Sequence, residues 1–264
     1  MKKNSTSPQL KLSQNFLNDL GAIATIIEAV KPQTDDNILE IGPGRGAITQ
    51  GFIENGNCIS AIELDENLVD YLKTRYGNSN LRIKRGDILK TDLSTYGRNI
   101  RLVGNLPYHI SSPILFHVSK FSKYVRDAHF MLQREVVNRM VARPGESSYG
   151  RLSVMLQYHW TMEKLFDLSP KSFLPSPKVW SSVIRMIPRK NHDFAASDYD
   201  YFESIVADAF SQRRKMLKSS LKKIIDYNDI AAAGINPTLR AENLSVTNFV
   251  DLANKTLPKN NSRF

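Results

Sequence analysis

Between Glu40 and His109 the 264-residue sequence spaces glycines, carboxylates and one asparagine in a pattern suited to nucleoside chemistry. Glu40-Ile41-Gly42-Pro43-Gly44-Arg45-Gly46 puts three glycines at alternate positions after an apolar run. Glycines there let the chain turn tightly out of a strand and let a ligand approach the backbone. Glu63 stands 21 residues after Gly42, at the end of the next apolar run. A carboxylate in that place can accept hydrogen bonds from vicinal ribose hydroxyls. Gly86-Asp87 ends a third run, where Asp87 could accept from an adenine amino group. The spacing is G-x-G-x-G rather than the G-x-G-x-x-G of a pyrophosphate cradle, and Glu40 beside it disfavours a phosphate. These features point to S-adenosylmethionine (SAM), which carries an ammonium, a sulfonium and no phosphate. An NAD-binding fold is the alternative.

A fourth run ends Gly104-Asn105-Leu106-Pro107-Tyr108-His109. An exocyclic amine of a base is a poor nucleophile because its lone pair is delocalised into the ring. The Asn105 side-chain oxygen and the Leu106 carbonyl could accept from that amine and favour a pyramidal nitrogen, its lone pair aimed at a sulfonium methyl. Pro107 fixes the backbone and removes a competing donor. Tyr108 offers an aromatic face to a base that has left its stack. No strong general base is required, since the methylated amine becomes acidic. Taken alone, such a tetrapeptide is equally well an ordinary turn.

These residues need a scaffold that brings strand ends together. NILEIG (37–42), CISAIEL (58–64), LRIKRGD (81–87), IRLVGNL (100–106) and AHFMLQ (128–133) read as strands. Between them AITQGFIEN, DENLVDYLKTRY, SSPILFHVSKF and REVVNRMVA read as helices, the third opened by serine caps. Strand–helix alternation predicts an α/β fold: a parallel sheet with helices on both faces, closed by VWSSVIRMI (179–187). Beyond Pro188 the pattern becomes helical, so residues 1–191 are expected to form the catalytic domain and 192–264 a small helical one. Hydrophobic residues at 41% and charged residues at 23% exclude wholesale disorder.

The net charge of +10 suggests an anionic partner, nucleic acid or membrane. Residues 1–100 balance 12 basic against 12 acidic side chains, whereas residues 101–190 hold 14 against 5. A second basic strip, read as a helix, holds Arg213, Arg214, Lys215, Lys218, Lys222 and Lys223. A solvated helix face would look the same in isolation. No apolar stretch follows the N-terminal lysines, and the longest uncharged run, Leu102 to Ser119, is too polar to span a bilayer. A cytoplasmic protein without membrane attachment is expected. The five histidines lack metal-ligand spacing, so no metal is expected, and the single cysteine, Cys58, is expected to be buried.

Together LSQNFL (12–17), EIGPGRGAIT (40–49), IELD (62–65), GD (86–87), GNLPYHIS (104–111), HFMLQREVVNRM (129–140), YGRLSVMLQY (149–158), FLPSPKV (173–179) and AFSQRRKMLKSSL (209–221) resemble the bacterial 16S rRNA adenine N6,N6-dimethyltransferases. The resemblance spans almost the whole chain. It implies a Rossmann-like SAM-dependent methyltransferase sheet and dimethylation of two adjacent adenosines in a hairpin loop near the 3′ end of 16S rRNA. The partner would be that rRNA in an assembling 30S subunit, bound by a monomer. It further implies SAM contacts at Asn15, Leu17, Gly42, Glu63, Asp87 and Asn105. The catalytic motif would run from Asn105 to Tyr108, with Phe173 sandwiching the target base from the other side. Without the resemblance, Phe173 could simply fill a core. His109 stands where many relatives carry Asn. Two rivals remain: an antibiotic-resistance methyltransferase acting on 23S rRNA, and a non-catalytic assembly factor that kept the fold. The QRRK-containing helix argues against the first, and the intact glycine turn, Glu63, Asp87 and NLPY against the second.

Overall fold

The computed structural model describes residues 15–77, 79–189 and 195–258. From the N-terminal side come β1 (Phe16–Leu17), α1 (Leu20–Val30), β2 (Ile38–Ile41), α2 (Ala47–Glu54), β3 (Ile59–Glu63), α3 (Glu66–Tyr76) and β4 (Leu81–Arg85). Then follow β5 (Ile100–Asn105), α4 (Ser111–Ser119), β6 (Val125–Gln133), α5 (Arg134–Val141), α6 (Arg151–His159), β7 (Trp160–Leu168), β8 (Phe173–Leu174) and β9 (Ser181–Pro188). The last helices are α7 (Tyr199–Ser211), α8 (Leu217–Ser220), α9 (Tyr227–Ala232) and α10 (Val246–Thr256).

Seven strands form one sheet in the order β4-β3-β2-β5-β6-β9-β7. The first five are parallel, as the alternating apolar runs predict. β9 runs antiparallel to both β6 and β7, so the sheet is mixed rather than purely parallel. β2 is buried along its whole length, which is why ILEI shows no polar alternation. On one face Ile114, Leu115 and Val118 of α4, Val137 and Met140 of α5, and Leu152 and Leu156 of α6 pack on Leu39, Leu102, Phe130 and Ile184. On the other, Ala22, Ile26 and Val30 of α1 and Ile48 and Phe52 of α2 cover Ile38, Ile59, Val103 and Val183. Each such side chain contributes roughly 1.5–3 kcal/mol on burial. Doubly covered parallel strands are the physical content of the expected Rossmann-like class.

A second core joins α6 to the C-terminal helices: Val154, Met155 and Tyr158 meet Phe202, Ile205, Phe249 and Val250. Buried Tyr149 adds a hydrogen bond from its hydroxyl to the Leu244 carbonyl at 2.9 Å. The expected boundary near residue 192 lies outside the described residues.

Three local expectations are corrected, and one strand is added. Ile110, not a serine, occupies the N-cap of α4, and Ser111 Oγ instead donates to the Tyr108 carbonyl. Cys58 is exposed, because it precedes the first buried residue of β3. β7 was not anticipated, since its charged residues fit no buried strand. It lies at the sheet edge, where such residues remain solvated. The basic strip is not one helix: α7 stops at Ser211 and only Leu217–Ser220 is helical within the strip. There the amides of Leu217 and Lys218 donate to the carbonyls of Leu239 and Pro237, which takes this backbone out of a continuous helix.

Candidate active site

Parallel order places the carboxyl ends of β2, β3, β4 and β5 along one sheet edge, and β2–β5 is where the chain order reverses direction. Such a reversal opens a crevice between the strand ends. Gly42 follows β2, Glu63 ends β3, Gly86-Asp87 follows β4 and Asn105 ends β5. Gly42 adopts φ of +67° with open space where a Cβ would point, so ligand can reach its backbone. At Gly104 a Cβ would lie 2.5 Å from the Ile41 carbonyl oxygen, so only glycine lets β5 run this close to β2.

A cavity opens at this crevice. It is lined by Asn15, Leu17, Gly42, Glu63, Asn105, Leu106, Pro107 and Tyr108, among others. An adjoining cavity shares Gly42, Glu63 and Pro107 and adds Asp87, Ile88, His109, Ile110 and Ile114. The sequence therefore named most of the wall, and the structure brings those residues together. Phe173 is the exception. It is 2% exposed and packs with Leu17 in the core, opposite which it sits in the β1–β8 ribbon. Buried in this way, it offers no open face for sandwiching a base.

The chemistry of the wall fits SAM. Glu63 is buried; its Oε1 accepts from the amides of Leu64 and Asp65 at 2.8 and 3.0 Å, and Oε2 from Gly44 at 3.2 Å. These three donors orient the carboxylate and leave acceptor capacity for hydroxyls. Burial still pushes its pKa above the ordinary range, despite the bonds to Asp65, Gly44 and Leu64. Glu40 is 1% exposed and accepts from Thr49 Oγ1 at 2.6 Å. Its pKa is pushed up to about 7 by burial, against the Thr49 bond and with help from the Glu63 charge. Two buried carboxylates in one cavity, with no ion-paired cation among the described residues, suit a positively charged occupant. Asp87 Oδ1 caps the turn that follows by accepting from Leu89 N at 2.9 Å.

Asn105 is held by Asn15. Asn105 Nδ2 donates to the Asn15 backbone carbonyl at 3.0 Å, so the amide oxygen is turned away from that bond. Among the described residues no donor to Asn105 Oδ1 is found. The two-residue β1 strand, anchored at Leu17↔Phe173, carries Asn15 to this point. Tyr108 shares a hydrogen bond of 2.6 Å with Ser181 Oγ at the start of β9, which fixes the position of the ring. Burial raises the Tyr108 pKa and the Ser181 bond opposes it. The Asn105 amide oxygen therefore lies without a donor among the described residues, next to a tyrosine fixed by Ser181.

A family model described as ribosomal RNA adenine dimethylase matches residues 6–256. The chain belongs to the ribosomal RNA adenine dimethylase family. It is 46% identical over 248 residues to the ribosomal RNA small subunit methyltransferase A of Nitrosospira multiformis, covering 94% of this chain and 96% of that one. To the enzyme of the same name from Aromatoleum aromaticum it is 47% identical, covering 92% of each. Among solved structures, a dimethyladenosine transferase from Plasmodium falciparum superposes with a TM-score of 0.74 at 24% identity, covering 90% of this chain and 95% of that one. The 23S rRNA methyltransferase ErmE superposes with 0.72 at 23% identity, covering 92% and 99%. The fold is shared with a 23S rRNA methyltransferase and does not by itself name the target RNA; the two relatives above 45% identity are named for the small subunit. As a member of this family the protein is a SAM-dependent rRNA adenine dimethyltransferase with the Rossmann-like fold.

Sequence reasoning missed several parts of the dimethylase site. Ser181, which holds Tyr108, lies 73 residues away and carries no local signal. Phe16 and Arg45 line the cavity and stack, the guanidinium carbon 4.9 Å from the ring centre. His109 and Ile110 line the second cavity, where their place just beyond a strand end was the available clue. Of the basic strip, Arg213 is tied down: Nε donates to Glu242 Oε2 at 3.2 Å, and the guanidinium bonds the carbonyls of Ser147 and Tyr149. Arg214, Lys215, Lys218, Lys222 and Lys223 are exposed. Among the described residues no three His, Cys, Asp or Glu side chains cluster as metal ligands, and no helix is long and apolar enough to cross a membrane.

Proposed function

We propose that the protein transfers two methyl groups to N6 of each of two adjacent adenosines in the 3′-terminal hairpin loop of 16S rRNA. The substrate is the assembling 30S subunit in the cytoplasm. One observation carries the reading: Asn15 takes the donor end of the Asn105 amide, which leaves the acceptor end for a substrate amine.

Asn15, Leu17, Gly42, Glu63, Asp87 and Asn105 hold SAM in this reading, with Glu63 at the ribose and Asp87 at the adenine amine. SAM supplies the electrophilic methyl group. The target adenine leaves its stack and lies against Tyr108. Asn105 Oδ1 and the Leu106 carbonyl accept hydrogen bonds from its two N6–H groups and localise the nitrogen lone pair. Once it carries the methyl group that bound SAM would supply, N6 is acidic and gives up one proton to solvent. The second transfer uses the remaining N–H on Asn105. Catalysis is positioning, worth several kcal/mol of the barrier. Pro107 keeps the motif rigid, and Phe173 supports the β1–β8 ribbon from the core. The C-terminal region from Tyr199 onward holds rRNA phosphates, through Lys218 on α8 and through Arg214, Lys215, Lys222 and Lys223 in the segments flanking it.

Primer extension across the 3′ hairpin tests this. Small subunits lacking the modification, incubated with protein and SAM, are expected to acquire a polymerase stop at the two adenosines, since dimethyladenosine cannot pair. A stop in 23S rRNA would favour the large-subunit reading, and no stop at all the non-catalytic one.

A further inference from the structure

Of the two tryptophans, Trp160 is fully buried and donates through Nε1 to Ser119. Trp180 is 44% exposed. An indole left in water at that level contributes little to the core, and its surroundings give it another use. Arg134 at the start of α5 places its guanidinium 5.4 Å from the Trp180 ring centre, and its amide donates to the Trp180 carbonyl at 2.9 Å. The pair is therefore held by backbone as well as by cation–π attraction.

The position is next to the chemistry. Trp180 directly precedes Ser181, whose Oγ holds the Tyr108 hydroxyl. Ser181 pairs with Gln133, the last residue of β6, so Trp180 stands at the strand-end edge that also carries Asn105. Exposed Lys178 lies two residues away in the same loop. Aromatic faces interleaved with basic side chains are how proteins hold single-stranded nucleic acid.

We propose that Trp180, backed by Arg134, stacks the adenosine adjacent to the one in the catalytic pocket. This rests on the reading that the substrate is a pair of adjacent adenosines. Extruding one base removes a stacking partner from the next. An aromatic face beside the pocket replaces that partner and recovers part of the unstacking cost. The same contact sets register, because only a base directly beside the target reaches it.

A hairpin RNA with an abasic site in place of the neighbouring adenosine isolates the contact. With intact hairpin, Trp180→Ala is expected to raise KM for RNA about tenfold, the loss of one stacked base, with kcat and SAM affinity unchanged. Trp180→Phe keeps a ring and recovers most of the loss. On the abasic hairpin, wild type and Trp180→Ala should have the same KM. An equal loss on intact and abasic RNA overturns the proposal, because the indole then touches something else. Tryptophan emission separates this from the activity reading. Intact hairpin should quench Trp180 in the Asn105→Ala variant, in which transfer is expected to be lost. Quenching that needs the neighbouring base but comes without methyl transfer in wild type removes the activity reading and keeps the platform. Methyl transfer with no quenching keeps the activity and removes the platform.

Discussion

Asn105 Nδ2 lies 3.0 Å from the backbone carbonyl oxygen of Asn15, a bond that joins the catalytic strand end to a segment 90 residues earlier. The partner is a carbonyl, so it accepts only, and it selects which end of the Asn105 amide faces the cavity. The two residues after Asn15, Phe16 and Leu17, line the wall of the same cavity. Segment order and catalytic geometry are thereby linked: disturbing the β1–β8 ribbon would release the Asn105 amide.

Asn105→Ala is expected to retain SAM affinity and lose at least about a hundredfold in kcat, the usual scale for removing one charge-stabilising hydrogen-bond partner. Asn105→Asp keeps oxygen acceptors but cannot donate to Asn15. Two carboxylate oxygens facing a carbonyl repel, so this variant should also lose kcat. Single-turnover transfer to hairpin RNA, with calorimetry for SAM, measures both. Full activity in either variant would remove the proposed role of the amide.

Glu40 links the cofactor cavity to pH. Its ordinary pKa is 4.5 and its folded value about 7, raised chiefly by burial. Between those values the folded chain holds a proton that the unfolded chain has released. The corresponding stability is present in full below pH 4.5 and is lost as pH rises through 7. Glu40→Gln keeps an acceptor for Thr49 and cannot ionise. It should therefore gain about 3 kcal/mol over wild type at pH 8, and little at pH 4, in urea unfolding. A cationic ligand in the same cavity favours the ionised form, so SAM binding near pH 6 should release a proton, and calorimetry in two buffers of different ionisation heat would register it. Absence of that release in wild type would separate Glu40 from the ligand.

The strands carrying Gly42, Glu63, Asp87 and Asn105 were legible because buried parallel strands read as apolar runs ended by glycine or a polar residue. Their convergence followed from the alternation with helices. Asn15 at Asn105 and Ser181 at Tyr108 were not legible, since both bonds bridge long stretches through tertiary packing. Residues 211–225 show the opposite failure. Their periodicity suits a helix, but a bridge between Met216 and Arg240 and the amide bonds to Pro237 and Leu239 win locally. Phe173 matched a base-sandwiching aromatic in type and place, and only packing reveals it as buried.

Beneath the sheet, far along the strands from Asn105, Arg101 is 4% exposed and bonds Asp36 at 2.6 Å and Asp127 at 3.0 Å. Its guanidinium also donates to the Val30 carbonyl at 2.6 Å, tying β5 to the end of α1. Arg101→Ala leaves Asp127 buried without its guanidinium partner and Asp36 with Arg126 alone, and is expected to cost roughly 3–5 kcal/mol in urea unfolding. Burial pushes Asp36 up, but bonds from the Gln33 amide and Arg101 outweigh it and hold its pKa below 3.8. The stability from Asp36 is thus present above pH 3.8 and lost as pH falls through its lower folded value. Arg101→Ala should unfold at a higher pH than wild type in an acid titration followed by circular dichroism.

The basic strip divides into two kinds of residue, and substitutions should separate them. Arg213 is bound to Glu242 and to the carbonyls of Ser147 and Tyr149, so it staples the end of α7 to the loop before α6. Its side chain is 48% exposed, so Arg213→Ala should cost only about 1 kcal/mol in stability. RNA affinity should fall little. Arg214 and Lys215 have no ion pair among the described residues and face solvent. Arg214→Ala with Lys215→Ala should leave stability unchanged and weaken hairpin or small-subunit binding. If each contacts one phosphate, the slope of log K against log salt should decrease in magnitude by about two. Filter binding across a salt series reads that slope. An unchanged slope in the double variant, or a reduced one in Arg213→Ala, would place the rRNA elsewhere on the helical surface.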